Sequence, residues 1–191
     1  MHSIRGRDTR VALSGAVCVS VIGLGACVGV DRPGSTAAPA EVITYSASLV
    51  DGADSLEELV EASDVTTVGV ADGQAVQSQH GVPFTITDMQ VQQSSKRDLV
   101  GSTIQIRQTG SSKVFVPELT KLLEPGEEYV LLLSLIDDPG AAGQYLITFE
   151  QGAWMNNGDG FTSLSSDPPP GAQALRNDRV EALLDSTARG N

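Results

Sequence analysis

Val82-Pro83-Phe84-Thr85-Ile86-Thr87-Asp88-Met89-Gln90-Val91-Gln92 alternates as a strand does, but not with a single parity. Val82, Phe84 and Ile86 share one side, whereas Met89 and Val91 share the other. Successive side chains of a strand point to opposite faces, so an apolar set changes face only where an extra residue intervenes. The pattern predicts a β-bulge near Thr87-Asp88. A bulge bends its strand and strengthens the local twist, which favours closure of a sheet over a flat array.

The flanking sequence extends this β reading. Val65 to Val76 is rich in β-branched residues and interrupted by Gly69 and Gly73, and Gln77 to Gly81 is polar and reads as a turn. Thr103 to Gln108 alternates, with Ile104 and Ile106 on one side. Lys113 to Val116 reads as a short strand. Tyr129, Val130, Leu131, Leu132, Leu133 and Leu135 lie within the stretch from Glu128 to Ile136. Apolar residues on both faces predict a central strand covered on both sides. Asp137-Asp138-Pro139-Gly140 is a turn signal, Gln144 to Glu150 alternates through Tyr145, Ile147 and Phe149, and Asn156-Asn157-Gly158-Asp159 predicts a hairpin between two short strands.

Helices are few. Ser55 followed by Glu58 forms a capping box, and Leu56, Leu59 and Val60 make one apolar face that ends near Ser63-Asp64. Pro117 to Glu124 reads as a brief helical turn with Leu119, Leu122 and Leu123 inward. Asp167-Pro168-Pro169-Pro170-Gly171 marks the end of the β region. Arg176 to Arg189 is a final peripheral helix with a narrow face of Val180, Leu183, Leu184 and Thr187, which either docks or frays. The expected class is mainly β with minor α: a five- to six-stranded, OB-like Greek-key β-barrel. It carries one N-terminal helix, a short helix before the fourth strand and the peripheral C-terminal helix. A sandwich is the alternative.

The amino end has a different character. Arg5, Arg7 and Arg10 face a single acid, Asp8, and residues 11–26 carry no charge. A basic start, an apolar run and small residues at its exit describe a secretory signal. The run is shorter than the roughly 18–20 residues that span a bilayer comfortably. The organisation read from these features is a signal peptide over residues 1–26, a flexible Gly/Ala/Pro-rich tether over 27–42, a β-barrel domain over 43–165, and a Pro-rich linker with C-terminal helix over 166–191.

Composition narrows the function. The 191-residue chain has 24 acids against 12 Lys and Arg, a formal net charge of −12, and removing a basic signal leaves the rest more acidic still. That disfavours nucleic acid, whose phosphates require Lys and Arg. The two cysteines, Cys18 and Cys27, both precede the domain, so it contains no disulfide and no Cys-based nucleophile or zinc site. His80 is the domain's single histidine and sits in a polar turn. The Asn156–Gly160 stretch lacks the bidentate Glu of an EF-hand loop. No catalytic residue, metal ligand set or cofactor motif is legible, and the expectation is none of each.

Leu24-Gly25-Ala26-Cys27 resembles a bacterial lipobox. The resemblance implies cleavage between Ala26 and Cys27, diacylglyceryl modification of Cys27, and a domain held on the outer face of the cell membrane. Leu59-Val60-Glu61-Ala62-Ser63-Asp64-Val65, Val68-Gly69-Val70, Thr103-Ile104-Gln105-Ile106-Arg107-Gln108, Pro125-Gly126-Glu127-Glu128-Tyr129-Val130-Leu131-Leu132-Leu133 and Gln151-Gly152 are similar to a group of exported bacterial domains whose shape resembles the netrin/TIMP-like OB barrel. An acylated Cys27 departs from TIMP-like inhibitors, which use a free amino-terminal Cys. The expected function is a membrane-anchored extracytoplasmic binding module for an unknown envelope protein or ligand. An enzyme acting on envelope polymers, recognisable by a carboxylate pair in one concave pocket, and a passive structural lipoprotein are the alternatives. Trp154, the only tryptophan, is weighed between a contact role and core packing.

Overall fold

A computed structural model describes residues 43–44, 52–115 and 120–190. The proposed signal, Cys27 and the tether therefore lie outside the described residues. The elements in chain order are β1 (Ile43–Thr44), α1 (Leu56–Glu61), β2 (Val65–Gln79), β3 (Val82–Ser94), β4 (Thr103–Thr109), β5 (Val114–Phe115), β6 (Glu128–Leu135), β7 (Gln144–Ile147), β8 (Ala153–Asn156), β9 (Phe161–Ser163), β10 (Ala174–Leu175) and α2 (Asn177–Gly190). The fold is mainly β with two helices.

Eight strands form one sheet in the order β10-β9-β8-β6-β2-β3-β4-β7, and β7 also pairs with β6. The strands β2, β3, β4, β7 and β6 thus return on themselves as a ring. Its closing contact is short and parallel, Gln105 to Gln144 and Ile106 to Tyr145. The expected five- to six-stranded barrel is therefore a five-stranded ring. From β6 a wing of β8, β9 and β10 runs outward. β1 and β5 form a separate parallel pair.

The sheet divides two apolar cores. One draws on all five ring strands and is thus the ring interior; it includes Val65, Met89, Val91, Ile106, Tyr129, Leu131, Leu133 and Ile147. The other lies between the wing and the helices and includes Leu56, Leu59, Val130, Leu132, Trp154, Phe161, Leu175, Val180 and Leu183. Strand β6 feeds both, Tyr129, Leu131 and Leu133 to the first and Val130 and Leu132 to the second. Its run of apolar residues is the consequence of burial on both faces.

The bulge is real but is carried by the neighbouring strand. Ala71 pairs with Met89 and Gln74 with Thr87, so the extra residue falls at Asp72-Gly73 of β2, opposite Asp88. A second shift, between Val68 and Gly69, places an extra residue on β3 at Gln92. At Thr87-Asp88 itself, β3 keeps an unbroken register with β4. Thr85, Thr87, Met89 and Val91 line the same, buried side. The threonines are hidden because their hydroxyls are paired: Thr85 Oγ1 donates to Gly110 O at 2.9 Å, and Thr87 Oγ1 accepts from Gln74 Nε2 at 3.0 Å. Beside the second shift, a Cβ on Gly69 would lie 2.3 Å from Gln90 O, so only glycine allows β3 to approach this closely.

Several elements differ from the sequence expectation. Strand β2 runs to Gln79, leaving only His80-Gly81 as the turn. Residues 120–124, expected within a helical turn, are irregular; residues 116–119 lie outside the described chain. Side chains supply the bonds a helix would have made: Gln108 Nε2 donates to Lys121 O, Leu123 N donates to Gln108 Oε1, and Glu124 N donates to Tyr129 Oη. Strand β7 stops at Ile147, because Phe149 and Glu150 adopt left-handed φ of 51° and 56°. Thr148 anchors that turn through hydrogen bonds with Ser63 Oγ and Ser134 Oγ, both 2.9 Å.

Ser55 caps α1, its Oγ accepting from Glu58 N, while the Glu58 carboxylate accepts from Asp54 N at 2.8 Å. The helix α2 docks and is not peripheral. Val180, Leu183 and Thr187 are buried against the sheet, and Thr187 Oγ1 lies 2.7 Å from Thr66 Oγ1 in the interior. Residues after 165 also supply β10, which pairs with β9.

Candidate functional site

Trp154 is fully buried and donates its indole N–H to Ala172 O at 2.6 Å. It offers no surface to a partner, so the contact role weighed for it has nothing to act through. His80 is an exposed turn residue at φ 53°. Asn156 and Asn157 close the β8–β9 hairpin, accepting from Gly158 N at 2.7 Å and Asp159 N at 3.0 Å. Among the described residues no group of three or more His, Cys, Asp or Glu could hold a metal ion. None of their helices is long and apolar enough to cross a membrane.

Among the described residues, three surfaces have the chemistry to engage a ligand. The outer face of β3 and β4 is polar but internally satisfied. Gln90 Nε2 donates to Thr103 Oγ1 at 2.7 Å, Gln105 Nε2 donates to Asp88 Oδ1 at 3.1 Å, and the Arg107 guanidinium lies 3.8 Å above the Phe84 ring while bonding Gln79. These groups answer one another across the strands, as a solvated sheet face does. A groove of about 420 Å³ lies between α1 and α2, floored by Leu56, Val60 and Leu183. Arg179 and Glu57 join across it at 2.9 Å, both largely exposed.

The third surface is a pocket of about 300 Å³ where the ring, the wing and α2 meet. Val68 of β2, Phe161 of β9 and Val180 of α2 form its apolar part, and all three are buried. Glu128, Asn156, Asn177, Glu181 and Gln93 provide its polar lining, drawn from β6, β8, α2 and β3. Each position follows from the fold. Glu128 opens β6 at the point where Val70 pairs with it, and Asn156 ends β8. Glu181 follows Val180 on α2, so the docking of Val180 brings its neighbour to the mouth. Asn156 Nδ2 donates to Glu128 Oε2, which fixes that carboxylate. Glu181 is exposed.

The pocket holds a carboxylate pair, Glu128 and Glu181, the feature by which the enzyme alternative would be recognised, beside groups suited to recognition. Two carboxylates accept hydrogen bonds and carry negative charge, three carboxamides both donate and accept, and the apolar part shelters a hydrocarbon segment. The carboxamides orient a ligand but do not transfer protons at ordinary pH. The sequence reading met Val68, Glu128, Asn156 and Val180 only as strand, hairpin or helix-face residues and assigned none of the pocket's lining residues to a site. They are spread from Val68 to Glu181, and no local spacing joins them.

Elsewhere, burial raises the Glu150 carboxyl above its ordinary range, with hydrogen bonds from Thr120 acting the other way. Burial likewise raises the Tyr129 phenol, opposed by the backbone hydrogen bond at Glu124 and reinforced by the charges of Glu124 and Glu127. Both groups belong to the scaffold and neither lines the pocket.

The class these observations define is a mainly β domain with a five-stranded ring, a three-stranded wing and a small acidic pocket at their junction with α2. No protein-family model, curated protein or solved structure matches the chain.

Proposed function

We propose that the chain is a lipid-anchored extracytoplasmic binding module whose pocket receives a basic side chain, Lys or Arg, of an envelope partner. The observation that carries this reading is the division of the pocket. Its apolar part of Val68, Phe161 and Val180 suits a methylene stem, and Glu128 and Glu181 beside it suit the ammonium or guanidinium head. The net charge of −12 would attract a basic partner from a distance and raise the rate of encounter. The ring order β2-β3-β4-β7-β6 supports an OB-type, netrin/TIMP-like scaffold, which commonly serves binding. Fold alone does not assign function, so the pocket's chemistry bears the argument.

Anchoring rests on the sequence from Leu24 to Cys27 and on the charge-free run before it. Diacylglyceryl Cys27 would hold the domain on the outer face of the membrane, since two acyl chains anchor where one binds marginally. In fractionated cells, Cys27→Ser should move the protein from the membrane to the soluble fraction. A variant that stays membrane-bound and equally hydrophobic in detergent partitioning would contradict the anchor.

The pocket is tested on the chain that begins after Cys27, with a short Lys- and Arg-containing peptide. Glu128→Gln and Glu181→Gln should each weaken binding about tenfold, the scale of one hydrogen bond to a charged group. The same peptide with its lysines acetylated and arginines replaced by citrulline should bind no better to the parent than to the variants. Equal affinity of parent and both variants for the basic peptide would remove the pocket from the account.

A further inference from the structure

The hairpin of β2 and β3 extends past the ring, and among the described residues no strand pairs with one edge of β2 there. Its turn is two residues long, His80 and Gly81, both at positive φ (53° and 82°), between the paired residues Gln79 and Val82. In such a hairpin the flanking pair exchanges both backbone bonds, and the direction alternates along each strand. Gln79, Gln77 and Ala75 therefore direct N–H and C=O toward β3, whereas Ser78, Val76 and Gln74 direct theirs away from it. On that far side β6 pairs only as far as Val70 with Glu128. Two more bonds follow at Ala71, whose N donates to Glu127 O at 3.0 Å and whose O accepts from Gly126 N at 2.8 Å. Beyond Ala71, no described strand pairs with this edge of β2.

Strand edges of this kind are usually guarded by Lys, Pro or a covering element. Residues 72–79 contain no Lys, Arg or Pro, and Asp72 is their only charge. Residues 72–78 are exposed, and Val76, at 61%, is the most exposed large apolar side chain among the described residues. In a chain with a net charge of −12, this is a strand that two copies can bring together with little repulsion.

We propose that this edge pairs antiparallel with the same edge of a second copy of the chain, with Val76 opposite Val76 on a two-fold axis. The register places Gln74 opposite Ser78, so the outward backbone groups of both strands meet and about six inter-chain hydrogen bonds form. It also places Asp72 of each copy beside His80 of the other, where the imidazole N–H donates to the carboxylate. The two Val76 side chains lie on one face and cover each other. The contact is isologous and closes at two copies, so it caps the open edge without building a fibre. Its small area makes it a weak dimer, formed where copies are concentrated.

Cysteine crosslinking in cells expressing the full chain tests the register, with the parent chain as background. A hydrogen-bonded antiparallel pair separates its Cα atoms by about 5.5 Å, within the range of a disulfide. Mild oxidation should give a covalent dimer from Val76→Cys. It should give one from co-expressed Gln74→Cys and Ser78→Cys, but little from either of these alone. Leu135→Cys, 52% exposed at the end of β6, should stay monomeric. Three results would each overturn the proposal: no Val76→Cys dimer above the parent, equal crosslinking from Leu135→Cys, or a crosslinked band whose mass shows another protein in place of the second copy.

Discussion

Trp154→Ala should lower the stability of the domain by about 3–5 kcal/mol, the range for removing a large aromatic from a packed core. The indole is fully buried, on the face of the sheet that carries the helices, together with Leu56, Leu59, Val130, Leu132, Phe161, Leu175, Val180 and Leu183. Truncation opens a cavity that elements from both ends of the described chain would have to collapse to fill. It also leaves Ala172 O without the indole donor, and an unsatisfied buried acceptor adds to the cost. Domains of this size are typically stable by only about 5–15 kcal/mol, so the loss is a large share of the total. The check is chemical unfolding of parent and variant, read together with tryptophan emission of the parent. The parent should emit at short wavelength and resist acrylamide quenching. Red emission with unchanged stability would show that the indole is solvated.

Ending the chain after Ser165 should be more damaging still. The deletion removes Ala172, Leu175, Val180 and Leu183 from the same core, together with β10 and the buried Thr66–Thr187 hydrogen bond. It strips the cover from Leu132 and Trp154, exposing an apolar face too extensive for a stable monomer. Circular dichroism should show a cooperative thermal transition for the chain that begins after Cys27 and none for the version ending at Ser165. A transition of equal midpoint in both would mean that α2 contributes nothing to the core.

These two outcomes bear on what the sequence revealed. Its composition placed a domain end near residue 165, because Pro168 to Pro170 break any ladder and the apolar face of α2 is narrow. Narrowness was misleading: Val180 and Leu183 meet a core already crowded by Trp154, and the polar Thr187 is buried because Thr66 answers it. The same blindness affected β3. Parity followed only the apolar residues and placed an extra residue at Thr87-Asp88, whereas hydrogen-bonded hydroxyls let Thr85 and Thr87 line the interior with no extra residue there. Parity also cannot say which strand of a pair carries an extra residue, and here Asp72-Gly73 carries it beside the predicted site. By contrast, β6 was legible because burial on both faces leaves an uninterrupted apolar run. The cap of α1 was legible because Ser55 and Glu58 act locally, although Glu58 reaches Asp54 N. The acidic pocket was not legible at all. Its glutamates are 53 positions apart by residue number, one at the start of a core strand and one beside the apolar stripe of a helix. Only the docking of α2 against β2 brings them to one cavity.

The central claim, that this pocket receives a basic side chain, is tested most directly by nuclear magnetic resonance. A short Lys- and Arg-containing peptide is titrated into the isotope-labelled chain that begins after Cys27, and the shifts are mapped by residue. The account predicts saturable shifts centred on Glu128, Asn156, Asn177 and Glu181, lost in Glu181→Gln and weakened by salt. Shifts centred on the α1–α2 groove or on the outer face of β3 and β4, or a saturable response that Glu181→Gln leaves unchanged, would contradict it.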